Sequence, residues 1–194
     1  MIPFDIFSNK LELCYQFKNI PGCVVECGVW RGGMISGISQ IFGNSRKYIL
    51  FDSFKGLPDA KEIDGESAIR WQKNKEDTYY FNNCSAEKDW VIKALKLSGI
   101  SNFQLVEGWF EETVPHYSFT ENIAILHLDG DWYDSTIVCL NYLFPKVLVG
   151  GLILIDDYLT WDGCSRAVHD FLSKNKRPEK IIHYKGNTTY LVKE

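Results

Sequence analysis

Short apolar runs recur along this chain, separated by longer amphipathic or polar stretches. The runs are CVVECGV (23–29), YILFD (48–52), FQLVEG (103–108), IAILHLDGD (123–131) and LILIDDY (152–158). Each is rich in Val, Ile, Leu or Phe and ends near a glycine or an acid, as a parallel strand buried on both faces does. Between them the pattern predicts helices over about 32–43, 85–98, 135–147 and 163–174, the second opening on Ser85 as N-cap and stopping at Gly99. Alternating strands and helices predict an α/β sheet with right-handed crossovers and helices on both faces. The end of the chain breaks the alternation. KIIHYKGNTTYLVK (180–193) is two strand-like runs around Gly186-Asn187, the signature of an antiparallel hairpin. The segment 58–83 is polar, charged and aromatic without a clear period, and is expected to be a lid or insert on a single domain spanning 1–194.

Composition narrows the class. The 194 residues are 45% hydrophobic, enough for a sizeable core and too apolar for a disordered chain. Lysine and arginine number 21 against 25 acids, a net charge of −4, which argues against a general binder of nucleic acid or anionic membrane. The longest apolar run, Val147 to Ile155, falls well short of the roughly 20 residues that span a bilayer. MIPFDIFSNK carries no secretory signal, and the six cysteines form no CxxC pair, so the expectation is a reduced, soluble, cytoplasmic chain.

In open α/β sheets ligands bind beyond the carboxyl ends of the strands, and here those ends are acidic. The first ends in Glu26-Cys27-Gly28 and continues through Trp30-Arg31-Gly32-Gly33, where glycines allow a close approach of backbone to ligand. The second ends in Asp52, 26 residues after Glu26, suitably placed for ribose hydroxyls. Together they signal a nucleoside cofactor, although the spacing is not GxGxxG. The structural alternative is that Gly32 and Gly33 only permit tight helix–strand packing. Asp129-Gly130-Asp131 and Asp156-Asp157 end two further strands. Carboxylates converging on one rim repel unless a cation neutralises them, and oxygen-only ligands favour Mg²⁺ or another hard divalent ion. The alternative for these acids is a solvated strand end or helix cap.

VECGVWRGG (25–33), FDSFKGLP (51–58), GWFEETVP (108–115), LHLDGDWYDST (126–136) and GGLILIDDY (150–158) resemble the TylF, or macrocin O-methyltransferase, family. The resemblance implies a Rossmann-like class I methyltransferase sheet, mostly parallel with a C-terminal antiparallel hairpin. It also implies S-adenosylmethionine, a divalent metal and a sugar-bearing small-molecule acceptor. Carried over residue by residue, it puts Glu26, Gly28 and Arg31 at the methionine part of the cofactor. Asp52 and Ser53 fall at the ribose, and Gly108 and Trp109 near the adenine. Asp129, Asp156 and Asp157 become metal ligands. Asp131 is the candidate general base, with metal or hydroxyl binding as its other open role. Two departures stand out. Met34 occupies a position that is small or hydroxylated in many related methyltransferases. Only about twenty residues precede the first strand, which leaves the acceptor site more open or completed by a second subunit of a homo-oligomer.

Other residues carry weaker signals. His127 reads as a core or supporting residue rather than a ligand, and Trp132 and Tyr133 as pocket wall or core. A metal-dependent nucleotide-sugar glycosyltransferase would use Asp129 and Asp131 but leaves Asp156-Asp157 and the glycine-rich loop unexplained. An NAD-linked oxidoreductase leaves the acids idle, and a non-catalytic cofactor-binding module would bind without turnover.

Overall fold

The computed structural model describes residues 3–194. Helix α1 (Phe4–Gln16) precedes strand β1 (Cys23–Cys27), then α2 (Gly33–Phe42) and β2 (Tyr48–Asp52). Next come α3 (Glu66–Lys73), α4 (Lys88–Leu97), β3 (Phe103–Glu107), α5 (Phe110–Thr113) and β4 (Ile123–Leu128). The chain closes with α6 (Tyr133–Leu143), β5 (Val147–Ile155), α7 (Asp162–Lys174), β6 (Ile182–Tyr184) and β7 (Thr188–Val192). The strands form one sheet in the order β3-β2-β1-β4-β5-β7-β6. The first five run parallel, and β7 lies antiparallel to both β5 and β6. This is the mostly parallel sheet with a terminal hairpin that the apolar pattern predicts.

The β-branched and leucine-rich strands are buried on both faces, so two cores sandwich the sheet. On one face Val24, Leu50, Ile125 and Leu154 pack under Leu13 of α1, Ile35 of α2 and Leu95 of α4. On the other, Val25, Phe51, Leu126 and Ile153 pack under Leu140 of α6 and Val168 of α7. Side chains alternate across a strand. Glu26 beyond Val24, Asp52 beyond Leu50, His127 and Asp129 beyond Ile125, and Asp156 beyond Leu154 therefore continue the α1-side series. The acids of four different strands reach the same side of one rim.

Three boundaries differ from expectation for identifiable reasons. Strand β5 begins at Val147, five residues before the run LILIDDY, and its pairing with β4 slips around Gly150-Gly151. There is no room for a Cβ at Gly151, which would meet Val147 Cγ1 at 2.6 Å. Helix α4 starts at Lys88 rather than at Ser85 and has no side-chain cap. Ser85 is engaged elsewhere: its hydroxyl lies 2.6 Å from Asn82 Nδ2, and its carbonyl accepts from Trp30 Nε1. The segment 58–83 is partly helical. A single 3₁₀ turn (Glu62–Asp64) leads into α3, and Asp64 bonds the backbone N–H groups of Lys61 (2.8 Å) and Tyr133 (2.7 Å). That carboxylate ties the segment to the start of α6, whose first-turn amides have no helical partner of their own.

Candidate active site

The main-chain ladder runs past the ends of the strands and aligns the rim. Gly108 N–H donates to Asp52 O, Gly28 N–H to Phe51 O, Asp129 N–H to Cys27 O and Asp156 N–H to Leu128 O, at 2.8–3.0 Å. In sheet order the rim therefore reads Gly108, Asp52, Gly28, Asp129, Asp156. A cavity of about 610 Å³ opens over this row. Of the residues singled out in the sequence, Glu26, Gly28, Asp52, Ser53, Gly108, Trp109, Asp129, Asp131, Asp156 and Asp157 all line it. Met34 lines it too.

Arg31 does not. It is exposed and stacks over the ring of Trp30, 4.6 Å from the centroid. The turn that carries it is held from below. Asp52 Oδ2 accepts from the amides of Val29 and Trp30, and Oδ1 from that of Phe54, all at 2.7 Å. Burial raises the Asp52 pKa, and the three amides pull it back by favouring the charged form. Ser53 is similarly occupied: its hydroxyl donates to Gly56 O (3.2 Å) and accepts from Lys55 N–H (3.1 Å). Gly28 is required by the geometry. Its φ is +89°, and a Cβ there would stand 1.7 Å from Asp129 O.

The β4–β5 side of the rim is differently made. Carboxylate oxygens of Asp129, Asp131 and Asp157 lie within 4.8 Å of one another, as do ligand atoms of His127, Asp129 and Asp156. The expected metal set Asp129, Asp156 and Asp157 thus straddles two groups that share Asp129. Burial pushes Asp129 up to about 6 and Asp131 up to about 7, the latter helped by the charge of Asp129. Asp157 is raised as well, by burial and then by Asp131 and Asp129. Carboxylates crowded in this way suit a hard divalent cation, which would supply the missing positive charge. Asp131 takes a left-handed backbone, φ +57°. Its amide donates to Asp157 Oδ2 (3.0 Å), and its Oδ1 accepts from Trp161 Nε1 (3.0 Å).

Glu26 and His127 face each other across β1 and β4. His127 Nδ1 lies 2.8 Å from Glu26 Oε1. Burial lowers the histidine pKa and raises that of the carboxyl, so the contact is a hydrogen bond rather than an ion pair. Glu26 Oε2 is buried without a protein partner in the cavity wall, a free acceptor suited to an ammonium group.

Sequence reasoning missed three contributors. Trp161 and Trp71 pack with Trp132 at centroid distances of 5.3–6.2 Å, joining the segment 58–83 to the wall beside Asp131. Nothing in the local pattern marks Trp161. Asp64 was hidden inside an apparently aperiodic stretch. Lys10 pairs with Asp156. It had a readable signal, since it stands on the buried stripe of α1 with Leu13 and Cys14 at i+3 and i+4.

Comparisons with known proteins identify the family and the fold. The macrocin-O-methyltransferase (TylF) family model matches residues 8–193. The demethyldecarbamoylnovobiocin O-methyltransferase of Streptomyces niveus is 33% identical over 176 residues, covering 85% of this chain and 63% of that protein. The 8-demethyl-8-(2,3-dimethoxy-alpha-L-rhamnosyl)-tetracenomycin-C 4'-O-methyltransferase of Streptomyces olivaceus is also 33% identical, over 94% of this chain and 71% of its own length. Among solved structures, the O-methyltransferase NovP superposes with a TM-score of 0.80 at 28% identity, over 95% of this chain and 79% of that one. The calicheamicin methyltransferase CalS11, 22% identical, shares the fold with a TM-score of 0.72 over 97% of this chain and 78% of its own. With the family model spanning nearly its whole length, this chain belongs to the macrocin O-methyltransferase (TylF) family.

Proposed function

We propose that this chain is an S-adenosylmethionine- and Mg²⁺-dependent O-methyltransferase acting on a sugar hydroxyl in natural-product or glycan biosynthesis. The observation that carries the reading is the rim itself. A glycine turn and a free buried acceptor, Glu26 Oε2, open on the same cavity as four carboxylates from β4 and β5. Family membership and the relatives' names support both the methyl donor and the acceptor class. One relative is named for O-methylation of a rhamnosyl-bearing compound and another as mycinamicin III 3''-O-methyltransferase.

When bound, the donor supplies an electrophilic methyl group, and the divalent ion lowers the pKa of an acceptor hydroxyl. The residues of the chain orient and deprotonate. Glu26 Oε2 receives the donor's ammonium, while Gly28 and Gly33 let the backbone come close. Asp52 keeps the turn at Val29 and Trp30 in shape, and its outer edge is left for the ribose. Gly108 and Trp109 flank the adenine end. Asp129, Asp156 and Asp157 hold the ion, and Asp131 accepts the hydroxyl proton at Oδ2, since Oδ1 is occupied by Trp161. Burial raises the Asp131 carboxyl above the ordinary carboxylate range, which makes its ionised form a stronger base. Trp71 and Trp161 exclude water and offer flat faces to a sugar ring. Methyl transfer is an in-line displacement, so most of the catalysis lies in this alignment.

Purified protein provides the test. S-adenosylhomocysteine should raise its melting temperature, and nucleotide sugars should not. Labelled methyl should pass from S-adenosylmethionine to a rhamnosylated aglycone in Mg²⁺ and stop with EDTA. Stabilisation by nucleotide sugars instead would favour the glycosyltransferase reading.

A further inference from the structure

Among the described residues Lys10 is the only lysine or arginine that is buried, with 2% of its surface exposed. It is delivered by α1, not by a strand. Its ammonium pairs with Asp156 and feels the charges of Asp129, Asp157 and Glu26. A buried ammonium is costly unless anions surround it, and a buried carboxylate cluster is costly unless a cation joins it. Each offsets part of the penalty of the other, burial remaining the larger effect on both. Resting on the metal reading above, the geometry points to Lys10 as a built-in counter-ion that competes with the divalent cation for Asp156. Occupancy of the metal site is thereby coupled to the seating of α1 on the rim.

The competition follows from the donor set. Asp156 is one of the three strand-end acids expected at the metal, yet its ligand oxygen groups only with His127 and Asp129. The other carboxylates that cluster with Asp129 are Asp131 and Asp157. Lys10 draws Asp156 toward α1. An ion held by all three acids must share Asp156 with an ammonium of like sign. The helix keeps other anchors if that contact weakens. Leu13 and Cys14 are buried in the core, Glu12 bonds the Tyr184 hydroxyl (2.8 Å), and Phe7 packs so closely on Gly37 that a Cβ there would meet it at 2.5 Å. Removing the Lys10 charge should therefore change metal binding without unfolding the chain.

The experiment measures Mn²⁺ binding by electron paramagnetic resonance for the full chain and for Lys10→Met and Lys10→Gln. Circular dichroism and S-adenosylhomocysteine binding serve as folding controls. Both folded variants are expected to bind Mn²⁺ about tenfold more tightly, because a like charge within a few ångströms has gone. In a second measurement, hydrogen exchange of the unaltered chain, saturating Mn²⁺ should lower amide protection in 4–16 several-fold. If the unaltered chain binds Mn²⁺ and the variants bind it equally or more weakly, the role of Lys10 is overturned while the metal reading stands. Unchanged or increased protection of 4–16 in Mn²⁺ overturns it too. If neither the unaltered chain nor the variants bind Mn²⁺, both readings fall. Binding by the variants alone supports Lys10 as the resident cation.

Discussion

Asp52 and the acids of β4–β5 stand on the same rim and differ in what surrounds them. Asp52 is satisfied from within, by three backbone amides at 2.7 Å. Asp129, Asp131 and Asp157 face chiefly one another, with one amide and one indole N–H among their protein contacts. A carboxylate with three donors already in place chiefly shapes a loop and keeps little acceptor capacity to spare. Carboxylates left crowded in a cavity ask for a cation or a proton. The two halves of the site thus divide the work: β1–β2 presents a preformed cradle, and β4–β5 presents unspent charge. Gly28 joins them, since its Cα abuts the Asp129 carbonyl.

The contrast can be broken from either side. The largest effect is expected from Asp156→Asn with Asp157→Asn, which keeps shape and removes two charges. Methyl transfer should fall by about 10³-fold or more, while S-adenosylhomocysteine affinity stays within a few-fold, measured by calorimetry. Asp131→Asn should lower turnover by about 10²–10³-fold with little change in donor KM, as loss of a general base does. Asp52→Ala strikes the other half. Leaving three amides without their acceptor should cost about 1–3 kcal/mol of stability in denaturant unfolding and weaken cofactor binding, without selectively affecting metal affinity.

The smallest expected effect is in pH. In metal-free protein Asp129 is raised from 3.8 to about 6 and Asp131 to about 7. Between about pH 4 and 7 the folded chain therefore binds more protons at these sites than the unfolded chain does, so their effect is to lower stability as pH rises through that window. The melting temperature in EDTA should drop by a few degrees from pH 5 to 7.5, and Mg²⁺ should flatten that slope. Asp52→Asn should make the slope shallower without abolishing it, because its own buried carboxyl is raised and its charge adds to the rise at Asp129.

Much of this was legible in the sequence because strand ends are marked twice, by the stop of an apolar run and by the acid or glycine that follows. YILFD (48–52) matches β2 residue for residue. The shared side of Glu26, His127, Asp129 and Asp156 was harder to see. Strands buried on both faces show no polar–apolar alternation, so the parity is masked until the acids appear at the end. The contacts of Lys10, Trp161 and Asp64 were out of reach for another reason. Each crosses between elements far apart in sequence, and periodicity reports only which face a residue occupies. Arg31 shows the converse: its position in a matched motif placed it at the cofactor, and its stack on Trp30 carries it outward.

The most direct test of the account is anomalous diffraction at the manganese edge from crystals grown with S-adenosylhomocysteine and Mn²⁺. The predicted result is one strong peak ligated by Asp129, Asp156 and Asp157, with the cofactor's ammonium at Glu26 and its ribose at Asp52. A bound cofactor with no peak among those carboxylates, or a metal held elsewhere, would contradict it.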